Sequence, residues 1–266
     1  QRTKDNSGNI LSILIWNGSI SPELCVTPAE ANGAIRTDDG YENSKPKVIT
    51  DATRKDSALW DPGFAGTPFG TDGKTAAEES MRRNATGGAN SVGNNSYAMA
   101  FNFGSRLTRW SNTFVSTEAL VGNRGPTYTT NKWTSTGWSL VKNNPLGDGS
   151  FTMQIHGGRN SWEGNIGYNA AHVTFATRPD PAEVTYRRTA TATTEPSTVA
   201  DNLFVDETDD LSGTGSTTFH FGHVKPANIN AFLVLMATIA GTDAASPGFT
   251  TTPVGRPAEG WIGWHD

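Results

Sequence analysis

Apolar residues gather in a few short stretches of this chain, and their spacing changes once along it. Over residues 6–18 (NSGNILSILIWNG), Ile10, Ile13 and Leu14 follow the i, i+3, i+4 rhythm of a helix face. Asn6 or Ser7 stands where an N-cap belongs, and Gly18 stands where a C′ residue ends a helix. The pattern predicts one helix here, the clearest in the chain. Ser21-Pro22-Glu23-Leu24 predicts a short helical turn with proline at its first position. Residues 27–90 have no apolar periodicity, only aromatic anchors at Trp60, Phe64 and Phe69 among Gly, Pro and Asp. They predict long, ordered surface loops, of a length that implies function or assembly holds them. Lys74 to Arg83 is a candidate short helix.

From Asn95 onward the rhythm is that of strands. Tyr97 to Phe103 alternates as a half-buried strand does, and Thr113 to Val121 and Ser150 to His156 are further strand candidates. Ile166 to Thr177 predicts two strands around a turn at Asn169-Ala170. Thr217 to Val224 alternates again. Phe232 to Ile239 is a continuous apolar run, which suits either a buried strand or a short buried helix. The Thr-rich stretch 189–198 reads as a linker or an exposed edge.

Composition narrows the class. The 266 residues are 35% hydrophobic and only 18% charged, with 21 Lys+Arg against 26 Asp+Glu for a net charge of −5. That balance is a poor match for a phosphate backbone, so nucleic acid is not an expected partner. The single cysteine, Cys25, excludes an intrachain disulfide framework and any cysteine-cluster zinc site. The longest apolar run, Ala231 to Ala240, is far short of the roughly 20 residues of a transmembrane helix. Low charge, abundant Thr, Ser, Asn and Gly, and 8 Trp suggest an exported, β-rich protein. Gln1-Arg2-Thr3-Lys4 opens directly into polar residues, without the apolar stretch or small-residue cleavage site of a secretory signal; the expectation is a cytoplasmic chain or a processed or truncated form, and composition favours the second.

Candidate chemistry is sparse. The histidines, His156, His172, His220, His223 and His265, include no His-Glu-x-x-His pair, and ordinary hydrogen-bonded histidines account for them. The acidic run 201–210 has two readings. It is a solvated acidic turn, or Asp206, Glu207, Asp209 and Asp210 offer hard oxygen ligands suited to Ca²⁺, without the register of an EF-hand. No other cofactor is expected. Neither Gly-x-Ser-x-Gly nor a catalytic-cysteine context occurs, and Gly70 to Thr75 lacks the spacer of a phosphate-binding loop. Exposed tryptophans suit sugar stacking and subunit interfaces equally. Trp60, Phe64, Trp261 and Trp264 are the candidate interface anchors, the last two in the terminal EGWIGWHD.

Residues 156–175 read HGGRNSWEGNIGYNAAHVTF. This segment resembles the C-terminal box of the pilin-like exported proteins of Planctomycetes, related to type II secretion pseudopilins. Their pattern is a His, nine residues, then Asp-Gly, commonly followed by His-Val. Here His156 opens the box, Trp162, Asn165 and Asn169 lie within it, and His172 follows it. Thirteen residues separate His156 from Ala170, and Ala170-Ala171 replaces Asp-Gly, so any role of that Asp is absent. The opening NSGNILSILIWNGSISPELCVTPAE, the strand at Asn95 to Met99, Leu120 to Pro126 and Asp201 to Val205 also resemble family segments in order.

The resemblance implies an α+β fold, with an N-terminal helix packed on an antiparallel β-sheet with long loops, a pilin-like head. Residues 1–26 would be the end of the pilin-like helix and its exit, 27–90 the loop region, and 91–266 the β-rich head. It implies no catalysis. The expected function is that of a structural subunit assembling with copies of itself or related pilin-like subunits into an extracellular or periplasmic filament or scaffold. Any membrane contact would run through an apolar helix that precedes this sequence. A secreted carbohydrate-binding β-domain is the alternative, and a secreted hydrolase with dispersed carboxylates ranks behind both.

Overall fold

The computed structural model describes residues 7–43, 61, 63–68, 92–100, 104–129, 138–158, 160–187, 198–205, 230–240 and 259–264. Among them is one α-helix, α1 (Ser7–Trp16), and ten strands whose registered pairs are antiparallel, so the class is α+β. The chain divides into two compact units, one of Gln1–Tyr97 with Leu235–Trp264, the other of Ala98–Val234 with His265–Asp266.

In the first unit α1 ends as its sequence predicts. Gly18 has φ +72°, its N–H donates to Ile15 O at 2.9 Å, and Ser19 N–H donates to Leu14 O at 2.9 Å. That is the Schellman arrangement, which occupies carbonyls the last turn would leave bare. The buried face, however, is not the expected Ile10, Ile13 and Leu14. Leu14 is 37% exposed, whereas Gly8, Leu11, Ser12 and Ile15 are buried. The reason lies at Gly8 and Gly66, whose backbones touch: a Cβ on Gly8 would sit 2.5 Å from Gly66 N. Close approach selects the helix face with the smallest residue, not the one with the most carbon. Ser12 on that face is held at both its polar oxygens, for the Tyr41 hydroxyl donates to Ser12 O at 2.6 Å and Ser12 Oγ donates to Asp61 O at 3.2 Å.

A 3-10 turn, Pro22–Cys25, follows with proline in its first turn, as predicted. The described loop region is surface loop as expected at Pro28, Ala29, Gly33, Arg36, Asp39 and Gly40, but not throughout. Asp61, Phe64 and Thr67 are fully buried. Side chains of the same unit hold their backbone: Asp61 accepts from Glu42 N and Gly63 N, both at 2.8 Å, and Asn94 accepts from Ala65 N at 2.9 Å and donates to Arg36 O at 2.9 Å. Buried backbone needs such partners, and here the chain supplies its own.

In the second unit the strands β1 (Tyr97–Ala100), β2 (Ala119–Asn123), β5 (Gly164–Tyr168), β6 (Val173–Ala176) and β9 (Leu233–Ala240) form a sheet of order β9-β1-β2-β5-β6. The apolar run 232–239 is therefore a strand. Two ribbons accompany the sheet, β3 (Tyr128–Thr129) with β4 (Ser139–Leu140), and β7 (Thr185–Arg187) with β8 (Thr198–Ala200). The end of the Thr-rich stretch thus becomes an edge ribbon at Thr198. Beyond Val234, β9 belongs to the first unit, where Leu235–Ala240 pair with β10 (Glu259–Trp264). The main core gathers Met153, Trp162, Ile166, Tyr168, Leu203, Phe204 and Leu233.

Two predicted strands are corrected. Phe151–Gln154 is a 3-10 turn, because Ser150 caps it: its Oγ accepts from Thr152 N at 3.2 Å, and adjacent Thr152 and Met153 are both buried, which one strand face does not allow. Residues 113–118 are loop, and strand begins only at Ala119. There Asn169 Nδ2 donates to Ser111 O, Thr113 Oγ1 and Glu118 Oε2 at 2.8–2.9 Å, holding the segment out of the ladder. Lys74–Arg83 and Thr217–Val224 lie outside the described residues. No helix among the described residues is long and apolar enough to cross a membrane.

Candidate functional site

The hairpin β5–β6 ends the sheet, and its two faces have different surroundings. Its turn lies where Asn169-Ala170 predicts it: Ala171 has φ +57°, and Tyr168 N–H donates to His172 O at 3.0 Å. The register pairs Gly164 with Ala176, Asn165 with Phe175, Ile166 with Thr174 and Gly167 with Val173. Alternation then sends Ile166, Tyr168 and Ala176 into the core and Asn165, Val173 and Phe175 outward. Val121 of β2, paired with Gly167, joins the outer row. Val173 is 68% exposed, Phe175 52% and Val121 37%. Three apolar side chains on neighbouring strands thus share one open face at the end of the described sheet.

The family-box residues fall around this hairpin. His156 lies edge-on to Phe175, with ring centroids 5.8 Å apart, and its Nε2 is 3.5 Å from Asn165 Nδ2. Both therefore border the outer face. Trp162 is buried beneath the other face, its indole N–H donating to Arg124 O at 2.7 Å and its ring meeting Phe204 edge-on at 4.7 Å. Asn169 clamps the 111–118 loop, and His172 stacks on Tyr168 at 4.7 Å. Structure brings His156 and Asn165 together but leaves Asn169 and His172 at the turn. Asp201 to Val205 is core as well: Asp201 accepts from Ala231 N, and Asn202 Oδ1 accepts from Phe204 N at 3.0 Å.

The remaining expected sites are placed differently. Phe64 is fully buried, edge-on to Tyr41 at 6.0 Å, so within this chain its ring is a packing group rather than an exposed anchor. Trp261 and Trp264 have their backbone in β10, opposite Thr238 and Leu235. Trp60 and the acidic residues Asp206, Glu207, Asp209 and Asp210 lie outside the described residues. Among the described residues, no three His, Cys, Asp or Glu side chains gather where they would hold a metal ion.

Sequence reasoning missed the outer row itself. Its signal was present, because 164–176 carries apolar residues in both alternating sets: Ile166 and Tyr168 in one, Val173 and Phe175 in the other. A hairpin that carries apolar residues in both sets places some of them on the face turned away from its own core. Cys25 offers no nucleophile at neutral pH, since burial, aided by the Glu23 charge, pushes its thiol up to about 12. The outer face presents Val121, Val173 and Phe175, bordered by Asn165 and His156. No family model, curated protein or solved structure matches the chain.

Proposed function

We propose that this chain is a non-enzymatic structural subunit, the head of an exported pilin- or pseudopilin-like protein, and that it assembles with copies of itself or related subunits into an extracellular or periplasmic filament or scaffold. One observation carries the reading: the exposed row Val121, Val173 and Phe175 on the hairpin that ends the sheet. Such a row is costly in water. Covering the exposed parts of Val173 and Phe175 is worth about 1–2 kcal/mol each. The backbone edge of β6 adds hydrogen-bonding groups that a second strand satisfies. A copy docking this row onto a different patch of its neighbour makes a heterologous contact, and a contact of that kind propagates without closing. The N-terminal helix and antiparallel sheet accord with the resemblance drawn from His156 to Phe175.

Sedimentation of the folded chain over a range of concentrations tests the reading. Expected is self-association that the double variant Val173→Asp, Phe175→Asp removes while its melting temperature stays near that of the parent. A parent that remains monomeric throughout, or a variant that associates equally well, refutes the assignment of this face.

A further inference from the structure

A second feature of the same unit has a different chemistry. Between the β3–β4 ribbon, the approach to β5 and the exit from β6 lies a cleft of about 550 Å³, within the roughly 300–1,000 Å³ range of small-molecule sites. Its lining includes Tyr128, Trp138, Lys142, Asn160, Arg178 and Asp180. The walls are set by the fold. Trp162, anchored on Arg124 O, forms part of the floor, and Leu203 N–H donates to Pro179 O at 2.9 Å to hold the segment after β6. Trp138 is half-buried, leaning on the core while lining the cleft.

The polar groups are built as well. Arg178 grips Asp180 in a fork, Nε to Oδ1 and Nη2 to Oδ2, each at 2.7 Å. Two of its five N–H groups are used this way, on a side chain 64% exposed, while the Asp180 carboxylate is largely sheltered. Burial, with the Asp180 charge adding to it, pushes the Tyr128 phenol upward, so that ring stays neutral and able to donate.

We propose that this cleft binds a saccharide. A purely apolar ligand would cover the three N–H groups of Arg178 that the fork does not use with nothing to accept from them, which costs free energy. A phosphate-type anion would meet the Asp180 carboxylate. A pyranose presents an apolar C–H face for the Trp138 indole and a rim of hydroxyls for Asp180, Arg178, Asn160 and Lys142. Its two kinds of surface match the two kinds of wall. The site is independent of the outer face of β5–β6, so it stands whether or not the chain polymerises.

Calorimetric titration of the full chain with a β-1,4-glucan hexamer, a chitin hexamer and an oligogalacturonate tests the proposal. Expected is binding of at least one, weakened about tenfold or more in Trp138→Ala and retained in Trp138→Tyr. Because Trp138 also touches the core, Arg178→Ala gives a second reading: it should melt with the parent and still lose affinity. Absence of binding for all three probes, or binding that neither Trp138→Ala nor Arg178→Ala weakens, overturns the proposal.

Discussion

The two faces of the β5–β6 hairpin are made of similar residues and differ in what covers them. Inward, Ile166, Tyr168 and Ala176 meet Trp162 and the Leu203–Val205 segment. Outward, Phe175 meets the His156 ring edge-on, and Val173 stands largely exposed. The inner face shows what covering such a surface yields: a core in which Trp162 has its single donor satisfied and its ring packed. The outer face is the same kind of surface with that step undone. The contrast makes association, not instability, the physical consequence to look for.

Substitutions can break the contrast from either side. The largest effect is expected at Trp162→Ala, at about 3–5 kcal/mol of stability, since it empties the core beneath β5 and strips Arg124 O of its donor. Ile166→Ala should follow at about 2–5 kcal/mol. Denaturant melts measure both, and a loss below about 1 kcal/mol at either site would show that the inner face is not close-packed.

The buried groups also predict a dependence on pH. Cys25 is raised from 9.0 to about 12, and burial raises Tyr128 and Tyr168 too. Each folded-state value lies above its unfolded one, so the stability they contribute is complete below about pH 9 and is lost as pH rises toward 12. For Cys25 alone the loss is on the order of a few kcal/mol. Melting temperature should be flat from neutral pH to about 9 and then fall, and Cys25→Ala should soften that fall. A chain equally stable at pH 8 and 11 would contradict the burial of these groups.

Two glycines sharpen the contrast at finer scale. A Cβ on Gly164, on the inner face, would sit 2.6 Å from Trp162 Cζ2, a ring held on both sides. A Cβ on Gly167, on the outer face, would meet Val121 Cγ1 at 3.0 Å, a methyl of a partly exposed side chain that has only tenths of an ångström to give. Gly164→Ala is therefore expected to destabilise measurably and Gly167→Ala to change stability by less than about 0.5 kcal/mol. Smallest of all in stability is Phe175→Ala, also within about 0.5 kcal/mol, although it should weaken self-association in the sedimentation assay. Equal effects at the two glycines would mean that the outer face is covered in the monomer.

Local grammar was legible where neighbours in sequence decide the outcome. The stop at Gly18, the proline-led turn at Pro22 and the hairpin turn at Asn169-Ala170 all rest on a few adjacent residues. Legibility failed where a distant partner intervened. The face that α1 buries depends on Gly66, and the 111–118 loop depends on the Asn169 amide. Ser150 turned an alternating stretch into a 3-10 turn through one local hydrogen bond, from Thr152 N–H to its own Oγ. Of the box, His156 and Asn165 border the proposed contact face, while Trp162 proved to be core and Phe64, an expected anchor, is enclosed.

Sequence by itself determined the helix at the start, several of the strands and the turns that rest on a few adjacent residues, because these follow from backbone preferences. Only tertiary structure decided which of two apolar sets on β5 and β6 is covered, and that Trp138, Arg178 and Asp180 line one cleft. Alternation says that side chains part to opposite sides of a strand. Which side finds a neighbour depends on chain segments far away, and no local spacing carries that information.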